Sequence, residues 1–158
     1  MPVLYAPERH RGICERIYKN IGIDVRWRSP KRRAPRKGAR QYAPLETDVS
    51  NTLLSARICV DEYGINTVED VRHTLRELCR RRIETVGLYL DLRDPLTAVH
   101  VKDFEDMGFF FSGLFPSGAR QNLILQYLNN ISIEYNEICT VSAFSKELLS
   151  YVKRCQSE

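Results

Sequence analysis

The chain has 158 residues, 43% of them apolar, which suits one compact domain with its own hydrophobic core. Its apolar stretches are too short for a membrane span, its first residues lack a secretory-signal pattern, and its five cysteines form no CxxC pair, which disfavours a disulfide framework or a zinc site. Residues 26–40 contain eight bases and no acid, whereas the rest of the chain has 16 bases and 20 acids. The net charge of +4 therefore comes from one basic cluster.

The first 27 residues predict a strand, a helix and a second strand. VLYA at 3–6 is typical of a short strand, and Pro7 opens a stretch in which isoleucine recurs every fourth position. Gly22 is placed to end this helix. The alternation of apolar and polar residues in IDVRW at 23–27 predicts the second strand.

Residues 28–50 are predicted to form a basic, proline-containing loop. The stretch holds three prolines, a glycine and most of the basic cluster. Three interpretations of its basic part, residues 28–40, stay open: a solvated linker, a nucleic-acid contact through phosphate neutralisation, or a contact with an acidic partner protein steered by charge. Only Trp27 and Tyr42 flank the cluster, so base stacking has little support.

The rest of the chain alternates strands and helices up to a hairpin. The pair Thr67 and Asp70 is typical of a helix start, and Asp94 followed by Pro95 predicts another. The turn around Gly118 predicts the hairpin. The predicted elements are strand 53–60, helix 67–82, strand 84–92, helix 95–107, strands 109–115 and 122–128, a short strand or extended arm at 131–138, and helix 144–152.

Strand–helix–strand units cross over right-handed and pair in parallel, whereas the hairpin adds an antiparallel edge. The sequence therefore predicts a single α/β domain over residues 1–158. Its mixed, mostly parallel central sheet would carry helices on both faces and end in a C-terminal antiparallel hairpin. The edge strands at 122–138 could pair between chains, which makes a homodimer an expectation.

The stretch FEDMGF at 104–109, which ends a helix just before two strands, resembles a signature of the GNAT acyltransferases. More narrowly, GFFFSGLFPSG and LILQYLNN, together with VLYAPERHRGICERIYKNIG at 3–22, resemble GNAT-like segments fused to bacterial anti-sigma-type ATP-binding serine kinases. The resemblance implies a GNAT-like fold, acetyl-CoA or another acyl-CoA as cofactor, and a signalling protein as partner.

The resemblance also implies that two working groups have changed. The family holds the cofactor pyrophosphate on a helix N-terminus, in a loop of the form Arg/Gln-x-x-Gly-x-Gly/Ala. The aligned residues 63–67, YGINT, contain no Arg or Gln and lie among acids that repel an anion. The family's general-acid tyrosine aligns with Phe104, which has no proton to give and is expected to pack in the core. No catalytic residue is therefore assigned.

A second placement of the cofactor loop is the stretch RHRGIC at 9–14, which follows a strand and opens a helix. The alternative is a basic, exposed first turn of a helix. YKNIGI at 18–23 also resembles the Tyr-x-x-x-Gly-Phe signature, so residues 1–27 could be the tail of a preceding GNAT-like unit. The candidate acyl-CoA-binding residues are Arg9, Arg11, Gly12, Ile13 and Cys14.

The three histidines, His10, His73 and His100, lie far apart without ligands at metal spacing, so no metal site is predicted. Glu62, at a strand end, is a candidate general base or a solvated surface acid.

The sequence favours a degenerate GNAT-like regulatory or ligand-sensing module of bacterial signalling, in the cytoplasm and without a membrane contact. An acyl-CoA-dependent N-acetyltransferase is the alternative, and nucleic-acid binding through residues 28–40, which is not expected, is the third hypothesis.

Overall fold

A mixed β-sheet with helices packed against it forms the protein in this computed structural model, which describes residues 1–31 and 42–158. Short 3-10 turns at Glu8–His10 and Tyr135–Glu137 complete the regular structure. The strands and helices, in chain order, are β1 (Val3–Leu4), α1 (Arg11–Asn20), β2 (Arg26–Trp27), β3 (Glu46–Ser50), β4 (Ser55–Val60), α2 (Thr67–Arg80), β5 (Thr85–Asp91), α3 (Pro95–Asp106), β6 (Phe110–Ser117), β7 (Arg120–Leu128) and α4 (Ala143–Ser157).

The central sheet has five strands in the order β3–β4–β5–β7–β6, and a separate parallel pair joins β1 to β2. Within the central sheet only the pair β4–β5 is parallel. An α/β fold with a mixed sheet is therefore confirmed, but the description "mostly parallel" is wrong. A tight turn joins β3 to β4, and β7 returns from the hairpin into the place between β5 and β6, so three of the four pairs are antiparallel.

The helices gather on one face of the sheet. Two right-handed crossovers in the same direction, β4–α2–β5 and β5–α3–β6, place α2 and α3 together. On that face Ile58, Leu88 and Leu125 form a fully buried row, whereas Arg57 on the opposite face is exposed. The predicted helices on both faces are therefore not found among the described residues, because an antiparallel sheet can leave one face to water.

The N-terminal segment packs into the same core as the central sheet. Tyr5 donates its backbone N–H to the carbonyl of Leu92 at 2.7 Å, just beyond β5. The hydroxyl of Tyr18 donates to Gln121 Oε1 at 2.5 Å, which ties α1 to β7. One continuous cluster of buried side chains therefore includes residues of the N-terminal segment and of the sheet.

Several local predictions changed. Strand β3 lies inside the predicted loop 28–50, whose residues 32–41 fall outside the described part of the chain. Residues 131–138 hold no strand but a 3-10 turn, and α4 is longer than expected because Ser142 caps it by accepting the N–H of Ser145. The predicted start of α3 is confirmed, since Asp94 accepts the N–H of Leu96 at 2.9 Å. Within the described ranges, no helix combines the length and apolarity that crossing a bilayer requires.

Candidate functional site

The loop between β4 and α2, residues 61–67, is called the α2 entrance here, and a tyrosine side chain fills it. Tyr63 is 8% exposed. Its hydroxyl lies 3.0 Å from Thr97 Oγ1 at the start of α3, and its ring stacks on His100 with 5.4 Å between the centroids. Thr97 Oγ1 in turn donates to the carbonyl of Asp91 at 2.6 Å. The space between the starts of α2 and α3 is therefore occupied by the protein itself.

The segment after the undescribed residues covers the same entrance from outside. The side-chain amide of Asn66 accepts the N–H of Ala43 at 2.9 Å and donates to its carbonyl at 2.8 Å. Gly64 lies so close to this segment that a Cβ at its position would be 2.5 Å from the nitrogen of Ala43. The N–H of Gly64 donates to Thr67 Oγ1 at 2.8 Å. Three backbone donors of this region, the N–H groups of Gly64, Thr67 and Asp70, are thus already bonded within the chain.

Among the described residues, four acids lie around the α2 entrance, as the sequence indicated. Asp61 pairs with Arg120 at 2.7 Å, and Asp70 accepts from Asn66 at 2.5 Å. Glu62 and Glu69 add two more acids at the helix start. Acids suit the positive end of a helix dipole, so they stabilise α2 in place of a bound anion. Two of the four acids, Asp61 and Glu69, are paired with the arginines Arg120 and Arg72.

Burial favours the neutral form of two titratable side chains in this region, Tyr63 and Asp94. It raises the pKa of Tyr63, and the hydrogen bond between Tyr63 and Thr97 opposes that rise only in part. Burial likewise raises the pKa of Asp94 at the start of α3. Phe104, which the GNAT resemblance aligns with a general-acid tyrosine, is fully buried in the core, as the packing interpretation expected. No proton donor stands at that position.

The second predicted cofactor loop, residues 9–14, lies on a continuous helical path rather than at a free helix start. The 3-10 turn before α1 takes up two donors, because the N–H of His10 bonds to the carbonyl of Pro7 and that of Arg11 to Glu8. The guanidinium of Arg9 pairs with Glu105 at 2.9 Å and with Glu158.

The other candidate residues of this loop divide between surface and core. Arg11 pairs with Glu15 at 2.7 Å, and Gly12 faces open space. Ile13 and Cys14 are buried in the core, where burial raises the pKa of the Cys14 thiol to about 12. Both arginines are thus neutralised by acids of the same chain. Acyl-CoA binding at these five residues stays a prediction.

A buried histidine with an acid and a tyrosine, here called the histidine cluster (His10, Glu105 and Tyr151), joins three parts of the chain. His10 has no exposed surface. Its Nδ1 lies 2.5 Å from the hydroxyl of Tyr151 on α4, and its Nε2 lies 3.3 Å from both carboxylate oxygens of Glu105 on α3. The ring also packs against Phe111 of β6, 5.0 Å between centroids. The cluster therefore fixes the N-terminal turn against α3, α4 and the sheet.

A groove of about 1090 Å³ runs beside the histidine cluster, between the N-terminal turn and the ends of α3 and α4. Glu105 and Cys155 line it, while His10 does not. Burial raises the pKa of Cys155 and of Tyr151, so both side chains stay protonated at neutral pH. The groove thus offers neither an accessible imidazole nor a thiolate, and the cluster reads as a structural network.

The remaining sequence candidates are scattered. His100 lies 3.1 Å from Asp103 and stacks on Tyr63, while His73 is exposed on α2. Glu62 is exposed at the end of β4. Across residues 1–31 and 42–158, no three side chains of His, Cys, Asp or Glu come together as a metal site would need.

Sequence reasoning missed the histidine cluster and the role of Tyr63. The members of the cluster lie 95 and 141 residues from His10, so no local pattern links them. The sequence did offer one signal for Tyr63. It is a bulky aromatic residue in a loop where the GNAT resemblance implies glycines. Its burial depends on Thr97, 34 residues away.

A scan against models of known protein families finds no match, and neither does a search of curated proteins. Among solved structures, the chain is similar to the ribosomal-protein-S18-alanine N-acetyltransferase from Escherichia coli, with a TM-score of 0.41 and 17% sequence identity. The similarity covers 61% of this chain and 65% of that enzyme, less than two thirds of the enzyme's length. The acetyltransferase activity is a property of that protein.

Proposed function

We propose that this protein is a degenerate GNAT-like domain that serves as a regulatory or ligand-sensing module in bacterial signalling, without acyl transfer of its own. The resemblance of residues 104–109 and of the hairpin to GNAT proteins supports the fold part of the proposal. The strand–helix–strand–helix–hairpin order of β4 to β7 agrees with that resemblance. The signalling part rests on the resemblance to segments fused to serine kinases.

The closed α2 entrance is the observation that supports the proposed absence of catalysis. An acyltransferase of this family would need the start of α2 open to a pyrophosphate, but Tyr63 fills the space and Asn66 fastens the segment at Ala43 over it. A hydrogen-bonded, buried side chain must be expelled before a cofactor can enter, and the surrounding acids would still oppose binding. The scaffold is kept while the cofactor site is filled.

A turnover assay tests this proposal. The purified protein is incubated with acetyl-CoA and a panel of primary amines, and released CoA is followed by chromatography because the chain's own thiols would react with a thiol dye. The expected result is release at the uncatalysed rate.

Turnover that disappears in Gly12→Glu would overturn the proposal and favour the N-acetyltransferase, with its cofactor at residues 9–14. Gly12→Ala is the matched control. A Cβ at this position has no other atom within 4 Å, and Gly12 is exposed, so the two variants are expected to fold alike. Only the glutamate would repel a pyrophosphate.

A further inference from the structure

Three arginines form a row along the outer face of α2, here called the arginine row: Arg72, Arg76 and Arg80. They are spaced four residues apart, so successive side chains leave the helix about 6 Å apart on one face. Arg76 is exposed and has no hydrogen bond or ion pair with any described residue. Its charge is available to a partner.

The two outer arginines have weak partners within the helix. Arg72 pairs with Glu69, and Arg80 pairs with Glu77 at 2.5 Å, in each case three residues away on the surface. Exposed pairs of this kind contribute little stability and exchange readily for a better acceptor. The helix dipole accounts for an arginine at the C-terminal position 80, but not for Arg72 and Arg76 further back.

A groove of about 570 Å³ lies directly beside the arginine row. One wall is α2, and the other is formed by the end of α3 and by Tyr127 of β7. Leu75, Cys79, Met107 and the ring of Tyr127 supply the apolar part of its lining. The groove therefore combines apolar residues with a row of positive charges along one side.

The far wall carries the opposite sign. Asp106 lies there and is paired with Lys102 at 3.0 Å. A ligand with negative charge on both sides would meet Asp106, whereas one with acids on a single side would face only the arginines. This asymmetry sets the orientation of the ligand as well as its charge.

We propose that this groove binds an acidic amphipathic helix of a partner protein. Acids four residues apart on such a helix have about the same 6 Å spacing as the arginines of the row. The apolar face of that helix would contact the apolar residues of the groove. Planar guanidinium groups take carboxylates in paired hydrogen bonds, which lysines cannot do. A nucleic acid fits less well, because Tyr127 offers the single aromatic ring of the groove and Asp106 repels phosphate. The proposal adds a partner surface to the proposed regulatory role and does not depend on the fate of acyl-CoA.

Fluorescence anisotropy with a defined probe tests the proposal. The probe is a labelled 18-residue helical peptide with glutamates every four residues along one side and leucines beside them. A scrambled peptide of the same composition and a fluorescent 20-base-pair DNA duplex serve as comparison ligands. We expect saturable binding of the helical peptide to the full chain that weakens as salt is raised, and weaker binding of the other two.

The variant that tests the row is Arg76→Glu, with Lys146→Glu as the matched control. Lys146 is an exposed cation on α4, away from the groove, so both variants change the net charge equally. We expect Arg76→Glu to raise the Kd of the peptide about tenfold or more, and Lys146→Glu to leave it nearly unchanged. A third variant deletes residues 31–40 and removes most of the chain's basic cluster.

Four outcomes would overturn the proposal. They are no binding of the helical peptide at millimolar concentration, equal binding of the scrambled peptide, tighter binding of the DNA duplex, and loss of binding on deletion of 31–40 with none in Arg76→Glu. The last two would point to nucleic acid or to the basic cluster instead. None of these outcomes depends on acetyl-CoA, so they are separable from failure of the proposed function.

Discussion

The start of α2 and its outer face differ in charge and in accessibility. At its start lie four acids, and the buried side chain of Tyr63 fills the loop before it. Its outer face displays three arginines beside an open groove. The same helix therefore combines an acidic, filled start with a basic outer face.

This difference illustrates two ways in which a helix can meet an anion. Backbone donors at a helix start work only if glycine and open space let an anion approach. Here Gly64 is used for close contact with Ala43 instead, since a Cβ would lie 2.5 Å from its nitrogen. Arginines on an exposed face need no such space, because their side chains reach the anion themselves.

The largest expected effect comes from emptying the α2 entrance with Tyr63→Ala. Removing this buried ring should lower the free energy of unfolding by about 3–5 kcal/mol, measured by urea denaturation. Tyr63→Phe, which loses only the hydrogen bond to Thr97, should cost about 1 kcal/mol. Acetyl-CoA should bind neither variant, because the acids remain. Binding gained by Tyr63→Ala would show that the ring alone blocks the cofactor.

Gly64→Ala should disturb the cover of the same entrance. The new methyl group would press on Ala43 and on the side chain of Asn66, and we expect a loss of about 1–3 kcal/mol in the free energy of unfolding. Gly12→Ala is the control, since it lies in α1 with no atom within 4 Å of its Cβ and should stabilise by up to about 1 kcal/mol. Equal effects of the two changes would contradict the close contact at Gly64.

The pH dependence of stability should reveal the buried thiol of Cys14. Its pKa rises from the ordinary value near 9 to about 12 in the folded protein, chiefly through burial. The unfolded chain therefore releases this proton first, so the thiol's contribution is complete below about pH 9 and is lost as pH rises towards 12. The steepest slope is about 1.4 kcal/mol per pH unit. Urea denaturation from pH 7 to 11 should show a shallower fall for Cys14→Ala, and parallel curves would refute this placement.

The smallest expected effect on stability is that of Arg76→Glu. The side chain is exposed and unpaired among described residues, so the free energy of unfolding should change by less than about 0.5 kcal/mol. Thermal unfolding followed by circular dichroism measures it. A loss above 2 kcal/mol would mean that Arg76 supports the fold, and any loss of peptide binding would then have to be judged in Arg76→Gln.

The sequence predicted most elements of the central sheet because their periodicity and caps are local. The Asp94–Pro95 start of α3 and the hairpin around Gly118 are examples. It did not predict β3, whose residues 46–50 are mainly polar and become a strand only by pairing with β4. Propensity could not show this pairing, since an edge strand depends on its neighbour.

The site was harder to predict than the fold. The acids of the α2 entrance and the missing proton at Phe104 could be read from residue types alone. The filling of the entrance by Tyr63 and the joining of His10 to Glu105 and Tyr151 depend on contacts across 34 to 141 residues. The four-residue spacing of the arginine row can be seen in the sequence at 72, 76 and 80. The groove beside it could not be predicted, because it depends on where the fold places Tyr127.

Calorimetric titration of the wild-type protein with acetyl-CoA at moderate salt tests the central claim most directly. The account predicts no saturable heat up to millimolar ligand, because Tyr63 and the segment at Ala43 close the place where the pyrophosphate would lie. Saturable binding at micromolar concentration would contradict it and would restore the N-acetyltransferase as the leading function.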